Sequence, residues 1–124
     1  MDLLIDTHAL IWAVEGSRRL SAQARDALLD PANKLFASGV TAWEFADLRA
    51  RRRLPALANL QVVIDLLSLT VLDVPSDLWK LADSLPDLHG DPTDRMLIAH
   101  ASHSDLTLMT ADATIRSSPI RTLW

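Results

Sequence analysis

Short apolar runs, each too brief for a helix and each followed by a stretch with helical spacing, recur along this chain and leave few folds open to it. Residues 2–6 (DLLID) form the first run, residues 35–37, 70–74 and 106–109 three more, and residues 120–123 a fifth. A short apolar run bounded by turn formers reads as a strand buried on both faces, as in a parallel sheet. Between the runs, the spacing predicts a helix from Thr7 to about residue 14, stopped by Gly16 and Ser17, and another from an N-cap at Ser21 to about residue 29. A third helix starts at Thr41, which has Glu44 at capping-box spacing, and runs through Arg53; a fourth covers residues 57–68, with Leu57, Leu60, Val63, Ile64 and Leu67 on one face. Pro75 and Ser76 open a helix to about residue 85, closed by Pro86, and residues 87–90 form a loop. Asp91 as N-cap with Pro92 behind it starts a helix to about residue 104, and a short helix covers residues 111–116. Strands alternating with helices predict an α/β fold, a three-layer α/β/α domain around a central parallel sheet of four or five strands. A chain of 124 residues closes one core and not two, so a single domain over residues 1–124 is expected.

Composition removes several classes of chemistry. There is no cysteine, so thiolate metal sites and thiol nucleophiles are excluded, and any metal must be held by oxygen or imidazole. No apolar run approaches the roughly 18 residues of a membrane helix, and Asp2 and Asp6 stand where a signal peptide carries basic residues, so a cytosolic protein with no membrane partner is expected. The net charge of −4 would not draw a polyanion to the molecule as a whole. Nucleic acid would have to be met locally, and Arg51, Arg52 and Arg53, with Arg49 before them, are one candidate edge. They equally suit a helix end whose negative dipole attracts cations.

Four acids fall where strands end and helices begin: Asp6, Glu44, Asp94 and Asp112. In a parallel sheet the carboxyl ends of the strands share one crevice, so all four can point into it. Crowded carboxylates repel one another unless protons or a cation neutralise them, and Mg²⁺ or Mn²⁺ prefers such oxygen ligands. On a phosphodiester, such an ion would acidify a water and polarise the phosphoryl group. Thr7 and Thr110, close to the acids in sequence, are candidates to orient a water or an acid. Each acid also has a plain structural reading. Asp6 could cap the next helix, although Thr7 already serves that start; Glu44 could complete the capping box of Thr41; Asp94 could answer a helix dipole; Asp112 could form a turn; Asp91 is first an N-cap.

Among the histidines, His8 is placed to reach the rim of the crevice and His89 to order its loop, whereas His100 and His103 read as core or surface residues on the Asp94 helix. No histidine spacing suits zinc. Trp12, Trp43 and Trp79 on predicted helices read as core or interface residues in preference to base-stacking platforms.

The segments LLIDTHALIWAV, SGVTAWEFADLRARRRL, LPDLHGDPTDRMLIAHA and LTLMTAD together resemble the PIN-domain ribonucleases, in particular the VapC-like toxins of bacterial and archaeal toxin–antitoxin pairs. The four segments span the chain in the family's order, and the third, with acid, Pro, acid and Arg before an apolar helix, is the most specific. The resemblance implies a PIN-like fold and a metal-dependent endoribonuclease. It further implies that Asp6, Glu44, Asp94 and Asp112 hold Mg²⁺ or Mn²⁺ for RNA hydrolysis, with Asp91 secondary, Thr110 as the polar residue near the fourth acid and Thr7 and His8 at the rim. It implies a homodimer and a cognate antitoxin whose C-terminal segment lies across the toxin. Thr41, Thr93 and His100 depart from a common serine, aromatic and glutamine, and the Arg-rich stretch stands where a Gly-Lys pair is typical.

Two other classes lack their residues. A haloacid-dehalogenase-like phosphatase needs a second Asp at the position of His8, and a receiver domain needs a Lys near the end of its last strand, whereas the lysines here are Lys34 and Lys80. The remaining alternative is a catalytically inactive PIN-like module that binds RNA or protein. Apolar surface on the first helices and on residues 57–68 is expected to dock a protein partner.

Overall fold

All five strands run parallel, in the spatial order β3-β2-β1-β4-β5. The computed structural model describes residues 1–55, 59–85 and 91–124. In chain order the elements are β1 (Asp2–Ile5), α1 (Thr7–Glu15), α2 (Ala22–Leu29), β2 (Lys34–Ser38), α3 (Gly39–Ala50), α4 (Leu60–Leu67), β3 (Thr70–Leu72), α5 (Leu78–Ser84), α6 (Pro92–His103), β4 (Thr107–Met109), α7 (Ala113–Arg116) and β5 (Thr122–Leu123). Leu57, Pro86, and the expected loop 87–90 with His89 lie outside the described residues.

The central strands β1 and β4 are buried on both faces, as their lack of alternation requires, whereas the edge strand β3, expected to be buried in the same way, is largely exposed because it has a neighbour on one side alone. In β1, Leu3 and Ile5 join one core cluster with Leu10, Leu28, Phe45 and Val63, whereas Leu4 points the other way and packs with Leu97, Ile98, Leu108 and Ile115. Met109 and Leu108 divide between the same two clusters. The period of two sends successive side chains to opposite faces, so a single sheet supports two helical layers. The expected α/β/α arrangement is therefore present, with five strands.

Several boundaries differ from the sequence reading. β2 runs on to Ser38, which becomes the N-cap of α3, its Oγ accepting from the Val40 amide at 3.0 Å. Thr41 is therefore inside the helix and not its cap, and its hydroxyl is buried without a hydrogen-bond partner among the described residues. α3 ends at Ala50 and not at Arg53: Arg52 takes the left-handed conformation at φ 55°, and the Arg53 amide donates back to Leu48 O at 2.9 Å. That closing turn is the one in which glycine is usual. α5 begins at Leu78, after a turn closed by the Leu78 amide on Pro75 O, and α7 begins at Ala113. α1 stops as expected, at Gly16 with φ 62°. No described helix is long and apolar enough to cross a membrane.

Candidate active site

The chain leaves β1 to build β2 and β3 on one side, then returns to lay β4 and β5 on the other. That reversal opens a crevice at the carboxyl ends of β1 and β4, where ligands bind in open α/β sheets. The Asp6 amide donates to Met109 O at 3.1 Å, which fixes the end of β1 against β4 and sets Asp6 at the floor of the crevice.

Asp6 is buried, only 8% exposed. Its backbone turns out of the strand at φ −74°, ψ 164°, and its Oδ1 accepts from the Ala9 amide at 2.7 Å, so Asp6 is the N-cap of α1. The cap expected at Thr7 thus belongs to Asp6, and the Thr7 hydroxyl donates to Glu44 Oε1 instead, tying the start of α1 to α3. Burial pushes the Asp6 carboxyl above the usual carboxylate range, and Asp112 adds to the rise. Hydrogen bonds from Thr110 and from the Ala9 amide, and the charge of His8, act the other way. Thr110, fully buried, also accepts from the Asp112 amide at 3.1 Å, so it links the two acids that follow β1 and β4.

Asp112 caps α7, its Oδ1 accepting from Thr114 and Ile115 at 2.8 and 3.0 Å, and Asp91 caps α6 through the Thr93 amide at 2.8 Å. Asp94 lies in the first turn of α6. The capping readings of Asp6 and Asp91 are realised, Asp94 stands in the first turn as the dipole reading has it, and Asp112, read as a turn former, caps α7, while the capping box of Glu44 is not formed.

The same acids nevertheless share one place. Asp6, Glu44, Asp91, Asp94 and Asp112, with Thr7, His8 and Leu97, line a cavity of about 80 Å³. Among the described residues no three of these groups stand close enough together to form a ready-made ligand cluster. The donor set still fits a hard divalent cation: it is all oxygen with one imidazole, and its most deeply buried carboxylate is the one whose charge burial penalises. Mg²⁺ commonly takes only one or two carboxylates directly and keeps several waters, which a lined cavity accommodates without a preformed cage.

His8 is exposed at the rim, as expected. His100 is buried, its Nδ1 2.8 Å from Ser38 Oγ, and so joins α6 to the start of α3 away from the cavity lining. Nothing in the sequence marks that pair, because the Ser38 cap depends on where β2 stops. Trp43 and Trp79 are 72% and 64% exposed and take no part in the core, whereas Trp12 is partly buried against it. Arg51 pairs with Asp47 of α3 at 3.2 Å, a solvent-exposed contact one helical turn apart.

A parallel α/β/α domain with an acid-lined crevice at its switch point is the class that this fold and site define. The family model of the PIN domain matches residues 3–118, and the chain belongs to that family. A curated relative, Ribonuclease VapC22 of Mycobacterium tuberculosis, is 28% identical over 120 residues, covering 93% of this chain and 90% of its own. VapBC2 from Rickettsia felis, solved bound to a DNA fragment from its promoter, superposes with a TM-score of 0.73 at 16% identity, over 98% of this chain and 97% of that one. Mycobacterium tuberculosis VapC20, a toxin that cleaves the sarcin–ricin loop, superposes with a TM-score of 0.63 at 14% identity, over 95% of each chain.

Proposed function

We propose that this protein is a metal-dependent endoribonuclease, the toxin of a toxin–antitoxin pair, and that Asp6, Glu44, Asp94 and Asp112 form its active site. The observation that carries the reading is the convergence of these acids, with Asp91, on one small cavity at the switch point of the sheet. The relative named as a ribonuclease supports the substrate class.

Asp6 and Asp94 are the residues assigned to hold Mg²⁺ or Mn²⁺, with Glu44 and Asp112 in support. Such an ion supplies Lewis-acid polarisation of the phosphodiester and acidifies water for the attack. The remaining work belongs to the chain. Thr110 orients the Asp6 carboxylate, and the Thr7 hydroxyl holds Glu44 toward the cavity. The caps on Ala9, Thr114 and Ile115 fix Asp6 and Asp112 against rotation, so the carboxylates are preorganised to hold the ion.

A cognate antitoxin is the partner inferred. Leu29 on α2 and Leu66 on α4 are 73% and 62% exposed, and a groove of about 390 Å³ runs between them along Ala13, Leu20, Leu28 and Leu67. This apolar surface lies on α1, α2 and α4 and suits a protein partner. A homodimer and a cytoplasmic location complete the reading.

The second reading, a binding module without catalysis, draws on the capping roles of Asp6, Asp91 and Asp112 and on the lack of a three-donor cluster among the described residues. Incubation of the purified protein with labelled structured RNAs, a sarcin–ricin hairpin among them, separates the two. Cleavage is expected with Mg²⁺ or Mn²⁺, none with chelator, and a loss of about 100-fold or more in Asp6→Asn and Asp94→Asn. Cleavage that survives chelator and both substitutions rules out the metal mechanism, and RNA binding without cleavage under every condition favours the binding module.

A further inference from the structure

A second cavity, of about 310 Å³, adjoins the acidic one and shares Asp6, His8 and Asp112 with it; its other walls are Trp12 and Ala111. Trp12 is the centre of an aromatic group on this rim. The His8 ring lies 5.9 Å from it, Trp124 meets it edge-on at 5.7 Å, and the Arg19 guanidinium stands 6.0 Å from its centroid. These contacts, with its packing against the core, hold the indole in one orientation. The position follows from sequence: His8 and Trp12 are four apart on α1, so they share a helix face, and that helix begins at Asp6.

We infer that Trp12, with His8, forms a stacking subsite for one unpaired nucleobase of the RNA strand, the base adjoining the phosphodiester at the neighbouring acidic cavity. The inference rests on the ribonuclease reading and deepens it by naming how the strand is positioned. A base has two π-faces and a planar edge, so a rigid indole beside an acidic cavity holds a nucleotide without reading its identity. The acids repel the phosphate backbone until a cation joins them, so in the free protein binding energy must come from the base. Stacking requires that base to leave its neighbours, which selects single strands, loops and bulges over duplex. Trp12 is accordingly a positioning residue.

The test uses one cleavable oligoribonucleotide and versions of it with an abasic site on either side of the cleaved bond. With the wild-type protein, one abasic version is expected to show KM raised about tenfold with kcat little changed, the loss expected for one base–aromatic stack. Trp12→Leu is expected to lose the same factor on the parent RNA and nothing further on that abasic RNA, while Trp12→Phe keeps most of the affinity; non-additivity of this kind marks direct contact. Fluorescence anisotropy with a labelled oligonucleotide in chelator gives the corresponding Kd values without cleavage. If no RNA is cleaved with any metal, the nuclease reading falls, and the anisotropy comparison still decides the subsite. If Trp12→Leu does not fold, the abasic RNAs with the wild-type protein decide it. Parent and abasic RNAs that bind and react alike, or losses from Trp12→Leu and the abasic site that simply add, overturn the inference.

Discussion

His100 Nδ1 and Ser38 Oγ lie 2.8 Å apart in the core, 62 residues apart in sequence, and this contact joins α6, which carries Asp94, to the strand end from which α3 carries Glu44. Ser38 Oγ also accepts from the Val40 amide, and the His100 tautomer sets which of the hydroxyl and the imidazole donates to the other. Burial lowers the His100 pKa below its ordinary value, and His103 adds to the fall.

The pH dependence follows from that direction. With a folded-state pKa depressed below 6.5, the unfolded chain takes up a proton as pH falls through 6.5 while the native state does not. Stability is therefore full above that pH and declines below it until the folded-state pKa is reached. Urea unfolding between pH 7 and about 5 should show the decline. His100→Gln keeps a hydrogen-bonding partner for Ser38 and should flatten the curve. His100→Ala should lose about 1–3 kcal/mol at pH 7, because it breaks a buried hydrogen bond of Ser38 and leaves a cavity.

Asp6 gives the opposite sign. Its folded-state pKa is raised above 3.8, so its contribution to stability is full below that pH and is lost as pH rises through the folded-state value. The charged form of the carboxylate therefore opposes folding. Asp6→Asn removes the charge and keeps the cap on Ala9, since Asn caps as well as Asp. It should melt no lower than the wild type in metal-free buffer, whereas Asp6→Ala should be about 1 kcal/mol less stable than Asp6→Asn through loss of the cap. Thermal melts of the three proteins at pH 7 and pH 4 check both orderings, and a large destabilisation by Asp6→Asn would mean that Asp6 is a structural acid.

Arg52 closes α3 in a left-handed conformation that an L side chain opposes by roughly 1–2 kcal/mol. Glycine removes this opposition but loses more entropy on folding. Arg52→Gly should raise stability by about 0.5–1 kcal/mol in denaturant titrations. A loss of stability would show that the Arg52 side chain makes contacts that outweigh the strain.

The sheet and the place of the acids were legible because they rest on coarse periodicity. Runs such as DLLID and LTLM are too short for helices and too apolar for exposed strands, and Asp6 and Asp112 follow two of them closely. Asp91-Pro92 marked the start of α6 because Pro suits the first helical turn and Asp its cap. What sequence could not settle was which of two neighbouring polar residues caps a helix. Asp6 and not Thr7, and Ser38 and not Thr41, hold the extended backbone angles of a cap, and those depend on where the preceding strand releases the chain. This release point also decided the fate of Glu44, freed from a capping box to meet Thr7. The exposure of Trp43 and Trp79 was hidden too, since an apolar residue in a helix does not declare which face its neighbours leave open.

The central claim, that the acids of β1, β4, α3 and α6 form one cation site, is tested most directly by Mn²⁺ added to isotope-labelled protein and followed through paramagnetic broadening of backbone amides. Broadening should begin at the amides around Asp6, Glu44, Asp94 and Asp112, spare those around exposed acids such as Asp26 and Asp65, and be lost in Asp6→Asn combined with Asp94→Asn. Broadening spread over the surface acids, or unchanged in the double variant, would contradict the account.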